Sequence, residues 1–130
     1  FDVNYYFVTD YGVPDYYELV FVAGEKALEE NPEKIAKFLR ASKKGFDDVK
    51  ADPEAALQLL LKNQNKENFP LIESVEKQSM DILLPLMEKE DAPFLTQSTE
   101  IWQNNVDWMF EKGLINEKVD AAEMLSDVWK

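Results

Sequence analysis

Apolar residues recur with two different periods along this chain, and the change falls near residue 24. Val3-Asn4-Tyr5-Tyr6-Phe7-Val8 and Glu18-Leu19-Val20-Phe21-Val22-Ala23 are short runs rich in aromatic and β-branched residues, the composition of strands. Tyr11-Gly12-Val13-Pro14-Asp15 between them is turn chemistry, because glycine admits positive φ and proline fixes φ while withholding a donor. The second run is apolar on both faces from Leu19 to Ala23, which predicts a strand inside a sheet rather than at its edge.

From residue 25 onward the period is helical. Asn31-Pro32-Glu33 and Asp52-Pro53-Glu54 repeat one start signal: a capping side chain, a proline at the first helical position, then an acid at the positive end of the dipole. The first start leads into a stripe of Ile35, Phe38, Leu39, Ser42, Phe46 and Val49, with Gly45 beside it. The second leads into Ala56, Leu57, Leu60 and Leu61. Polar residues 63–69 predict a loop. A third helix over about 70–87 is expected to bury Leu71, Val75, Ser79, Ile82 and Leu86, with Pro85 bending or stopping it. After a loop over 88–96, residues 99–112 predict a fourth helix carrying Ile101, Trp102, Val106, Trp108 and Met109, closed by Gly113. Asp120-Ala121-Ala122-Glu123 resembles a capping box opening a short last helix through Val128, with Trp129 beyond it as packing or a frayed end.

The expected fold class is therefore α/β and mostly helical: two strands followed by about five helices. Two strands alone make a marginal sheet, and a buried strand needs neighbours on both sides. The pattern reads as part of a larger α/β domain whose other strands lie outside this sequence.

Composition narrows the chemistry. The 130 residues suffice for one domain, and 45% of them are hydrophobic, enough apolar surface to argue against disorder. Acids outnumber bases 26 to 14, a net charge of -12 that repels phosphate backbones and anionic lipid. The lysines at Lys43-Lys44 and Lys34/Lys37 are interleaved with acids and read as a solvated helical face. No apolar run approaches the roughly 20 residues that span a bilayer. The opening Phe1-Asp2-Val3-Asn4 shows neither a signal-peptide pattern nor an initiating Met, which reads as a processed or truncated chain. Cysteine and histidine are both absent, which removes thiol nucleophiles, Cys/His zinc sites, histidine bases and Ser-His-Asp triads together.

Among the remaining groups, Asp47-Asp48, Glu29-Glu30 and Glu88-Glu90-Asp91 do not converge at helical spacing or match a calcium loop, and read as surface acids. Trp102, Trp108 and Phe110 could form a stacking platform, but at this spacing they read as core. Tyr16-Tyr17-Glu18 differs, because it lies where a turn enters the expected buried strand, the place where α/β proteins gather ligands. Tyr16 and Glu18 are two apart and share a side in an extended chain. A ring that stacks and a carboxylate that accepts from an exocyclic amine would suit a flat, nitrogen-rich ligand. The alternative is that Glu18 is a charge at a strand mouth and the tyrosines are packing.

Tyr11-Gly12-Val13-Pro14-Asp15-Tyr16-Tyr17-Glu18-Leu19-Val20 resembles a segment of the thiamine-pyrimidine-synthase-like substrate-binding proteins of ABC importers, in the branch that captures thiamine-pyrimidine precursors. Glu29-Glu30-Asn31-Pro32-Glu33-Lys34-Ile35, Phe38-Leu39-Arg40-Ala41, Lys44-Gly45, Asp52-Pro53-Glu54-Ala55-Ala56, and Trp102…Trp108-Met109…Gly113-Leu114-Ile115…Val119-Asp120 keep that family's order, so the resemblance covers essentially the whole chain. It implies the C-terminal portion of a type II periplasmic-binding-protein fold, two lobes joined by a hinge with ligand between them. On that resemblance residues 1–24 are the hinge-return segment and a central strand, and 25–130 are the C-terminal helical part of the first lobe. It implies Tyr16 and Glu18 as ligand contacts, with Tyr17 a further candidate, and no catalytic residue, metal or cofactor. The implied ligand is an aminopyrimidine of the hydroxymethylpyrimidine or formylaminopyrimidine type. ABC permease subunits are the implied partners, and the place is the outer face of a bacterial membrane or the periplasm, with any lipid anchor outside this chain. Enzymes of this fold rely on a histidine and a Cys-rich motif, and this chain has neither residue, so the resemblance implies transport rather than catalysis. Two other readings stay open: capture of another planar or sulfonated nutrient, and a self-contained helical module that binds a protein.

Overall fold

Helices account for nearly all the regular structure in the computed structural model, which describes residues 4–67 and 69–128. A 3-10 turn at Val8–Tyr11 is followed by α1 (Glu25–Glu30), α2 (Pro32–Ala51), α3 (Pro53–Asn63), α4 (Glu73–Met87), α5 (Thr99–Glu111) and α6 (Ala121–Met124). None of them is long and apolar enough to cross a membrane.

The two expected strands do not form among the described residues. Val3 lies outside them, Asn4 to Phe7 are irregular, and Val8 enters the 3-10 turn, which ends on Gly12 at φ 81°. Residues 18–23 bend at Glu18 and Leu19 and then run without a ladder, leaving Leu19 94% and Val22 88% exposed. The physical reason is pairing: β-propensity expresses contact with neighbouring strands, and no described residue supplies one here. The sole β-type pairing described is an isolated bridge between Lys89 and Ala92.

The helices group into two units. One takes Asn31–Thr96, and the other takes the described residues through Glu30 together with Gln97–Val128. In the first, α2 packs on α3 and α3 on α4 in chain order. Pro32 and Pro53 both sit at the first helical position, as expected, but only Asp52 caps through its side chain, accepting from the Ala55 N–H at 3.0 Å. Asn31 makes no such bond, being the single residue between α1 and α2. Of the α2 stripe Phe46 is buried, while Phe38 is more than half exposed. Leu57 is the buried side chain of α3. Gln58 ties α3 to α4 by donating to Glu73 at 2.7 Å, and Gln64 accepts from the Leu71 N–H across the intervening loop.

The face of α4 expected to be buried is open: Val75, Ile82 and Leu86 are all at least half exposed. The helix also begins three residues later than expected, at Glu73, and ends at Met87, two residues past Pro85. Proline removes the donor that the fourth preceding carbonyl needs, so the helix stops within the following turn.

In the second unit α5 packs on α6. Val106 and Ala121 are buried at this seam, and Gln103 bridges it, accepting from the Ala121 N–H and donating to Asp107 and the Val119 carbonyl. α5 ends as its sequence requires: Gly113 at φ 69° lets its own N–H reach the Phe110 carbonyl and the Leu114 N–H reach that of Met109. α6 is shorter than expected. Asp120 caps it through the Ala122 N–H, but the helix stops at Met124 and no carboxylate returns from Glu123 to complete the box. Trp129 lies outside the described residues.

These caps carry defined costs. Asp52→Ala should lower stability by about 1 kcal/mol through loss of the α3 cap. Gly113→Ala meets no atom within 4 Å of its new Cβ. It should therefore cost about 1 to 2 kcal/mol through the left-handed backbone alone. Urea unfolding of the two variants beside the parent checks both; an unchanged midpoint in either removes its cap from the account.

Candidate functional site

The segment around Tyr16 has neither helix nor strand to hold it, yet the start of α5 fixes it from two sides. Tyr17 is half-buried, and its hydroxyl accepts from the Ser98 N–H at 2.8 Å across 81 residues of chain. Its ring stacks on Trp102, with centroids 5.9 Å apart and planes inclined by 28°. Asn105, one turn further along α5, donates to the Asp15 carbonyl at 2.7 Å across 90 residues. The Asp15 carboxylate in turn accepts from the Tyr16 N–H.

α5 can do this because its own start is well formed. Ser98 caps it by accepting from the Ile101 N–H, and the Trp102 indole N–H donates to Gln97 at 2.6 Å. Asn105 also donates to the Ile101 carbonyl one turn back, which settles its rotamer. Trp102 thus serves as packing for Tyr17, as its helical spacing suggested. Phe110 lies on the exposed side of α5, with the Lys118 ammonium 5.5 Å from its ring.

Of the three sequence candidates, the structure turns Tyr17 toward α5 and leaves Tyr16 and Glu18 exposed, Tyr16 by 44%. An exposed ring and an exposed carboxylate two residues apart can stack on and hydrogen-bond a planar, amine-bearing molecule. An apolar groove of this unit lies elsewhere, between Val106, Met109, Leu114 and Met124, and includes none of the three. Sequence reasoning missed Ser98, Asn105 and Gln103 as partners. Asn105 carried a signal, since an Asn-Asn pair in mid-helix is disfavoured unless its amides are put to use.

A cluster of charged groups lies in the other unit. Glu88, with its side chain 19% exposed, accepts from Lys50 and from the Phe94 N–H at 3.1 Å, with Lys43 at 3.8 Å. Phe94 stacks on Phe46, centroids 4.1 Å apart, and both lysines lie within 6 Å of the Phe46 ring. The lysine and amide donors hold the Glu88 carboxyl below its ordinary range. The bond to Asp47 raises Lys43. Each of these groups is paired, and the cluster anchors the loop after α4. Glu30 pairs with Lys26 and Asp47 with Lys43, as surface acids do, and among the described residues no group of acids is placed to hold a metal ion.

Comparison with known proteins gives this geometry a setting. Residues 1–56, which include the Tyr16–Glu18 segment and both Asx-Pro-Glu starts, match the NMT1/THI5-like family model. Over 127 residues, 98% of the chain, the sequence is 39% identical to the formylaminopyrimidine-binding protein of Halalkalibacterium halodurans. The chain spans 38% of that curated relative's length. Its similarity is thus to the NMT1/THI5-like family over residues 1–56 and to this binding protein over nearly all of its own length.

The Glu88 cluster generates a pH dependence with a definite sign. Because the folded-state value is depressed, the stabilisation is full above the unfolded glutamate value and is lost as pH falls through the folded-state one. The window is therefore acidic, below about 4.3. Thermal melting of the parent and Glu88→Gln from pH 7 to 3 should show a gap favouring the parent that closes with acid. A gap that holds constant would mean that the charge contributes nothing.

Proposed function

We propose that this chain belongs to the substrate-binding component of an ABC importer for a thiamine-pyrimidine precursor of the formylaminopyrimidine or hydroxymethylpyrimidine type. The observation that carries the reading is the Tyr16/Glu18 pair, exposed on a segment whose neighbours Asp15 and Tyr17 are bonded to α5. The kinship supports it, since the relative is named for binding formylaminopyrimidine. In this reading the Tyr16 ring stacks on the pyrimidine and the Glu18 carboxylate accepts from its exocyclic amine, with Tyr17 a further candidate contact. No step of chemistry is required. The receptor closes two lobes on its ligand and hands it to a membrane permease at the outer face of the cell.

The same reading assigns the finer architecture: a type II periplasmic-binding fold, residues 1–24 as hinge-return segment and central strand, and 25–130 as the helical part of the first lobe. The apolar side chains of 18–23 support this, because a sheet with neighbours on both sides would cover Leu19 and Val22.

Calorimetry on the full-length protein with formylaminopyrimidine and hydroxymethylpyrimidine tests the proposal. One ligand per protein is expected, with Glu18→Gln and Tyr16→Ala each weakening binding about tenfold or more. No heat with either compound, or parental affinity in the double variant, overturns it. A different molecule carried through purification and identified by mass spectrometry would redirect it to another nutrient.

A further inference from the structure

We propose that the start of α5 is a clamp that positions Tyr16 for ligand capture, with Tyr17, Trp102 and Asn105 as positioning residues that never touch the ligand. The inference rests on the pyrimidine-binding reading and deepens it, giving Tyr17 a supporting part rather than a contact. The geometry points to it through the bracketing of one residue. Asp15 is held by its carbonyl on Asn105, and Tyr17 by its hydroxyl on Ser98 and its ring on Trp102. Tyr16 lies between these anchors with its ring exposed.

Each element of the clamp has a fixed sense. The Asn105 amide nitrogen faces two carbonyl oxygens, Asp15 at 2.7 Å and Ile101 at 2.9 Å, and only an NH2 group can serve both. The bond to Ile101 lies within α5, so the donor is set before the Asp15 segment arrives. Tyr17 acts as acceptor for a backbone N–H at the first turn of α5, a donor that has no partner inside the helix. Residues 13–17 have no helix or ladder of their own to define them, so these tethers determine where the Tyr16 Cα stands. A ring that is already in place loses less freedom on binding, and its contact with a flat ligand gains accordingly.

Two conservative variants in the full-length protein separate this role from simple support of the fold. Asn105→Asp keeps the shape and removes the donor, and Tyr17→Phe keeps the ring on Trp102 and removes the acceptor. Each is expected to weaken formylaminopyrimidine binding by calorimetry about five- to tenfold. Without ligand, each should also speed amide hydrogen exchange at residues 15–18. In a Tyr16→Ala background the same changes should have no further effect on affinity, because the clamp acts through that ring. If Asn105→Asp does not fold, Tyr17→Phe carries the test alone. Parental affinity in the variants, or an undiminished effect in the Tyr16→Ala background, overturns the clamp while leaving the pyrimidine reading intact. Absence of binding by the wild-type protein overturns that reading, and the clamp's role in capture with it.

Discussion

Two hydrogen bonds to the first turns of α5 hold the segment around Tyr16 in place. Ser98 to Tyr17 and Asn105 to Asp15 close loops of 81 and 90 residues. Loop-closure entropy grows slowly with length, so such distant bonds are affordable once a rigid partner exists. α5 is that partner: it is capped at Ser98 and terminated at Gly113 by a paired set of backbone bonds. Without it, the segment around Tyr16, which has neither helix nor ladder of its own, would lose both tethers.

The other unit works by a different principle. Its helices pack in chain order and its interior is small, with Ala36, Phe46 and Leu57 as the buried apolar residues. The loop after α4 is held by charge and ring together: Glu88 receives Lys50 and the Phe94 N–H, and Phe94 lies on Phe46. A carboxylate with charged and backbone donors is a strong local anchor, since charge-assisted bonds exceed neutral ones. This explains why Glu88, an acid held below its ordinary range, is structural while the exposed Tyr16/Glu18 pair is the functional candidate. Binding by stacking and acceptance needs exposure and position, not a shifted proton affinity.

The similarity to NMT1/THI5-like proteins and the geometry bear on different parts of the proposed function. Similarity supports the proposed ligand class. Geometry speaks to how one ring of the site is held, and it draws in Ser98 and Asn105, which no motif in the sequence marks as related to Tyr16.

The sequence by itself determined the helix starts at Pro32, Pro53 and Ala121, the end of α5 at Gly113, the absence of His and Cys chemistry, and the candidate pair Tyr16 and Glu18. These follow from local rules, where a proline, a capping acid or a left-handed glycine acts within a turn of its own position. Only the tertiary structure decided that Tyr17 faces α5, that Asn105 reaches Asp15, that the apolar side of α4 stays open and that residues 18–23 form no strand. Each of these depends on a partner far away in the chain, and periodicity states which residues want burial without stating what is present to bury them.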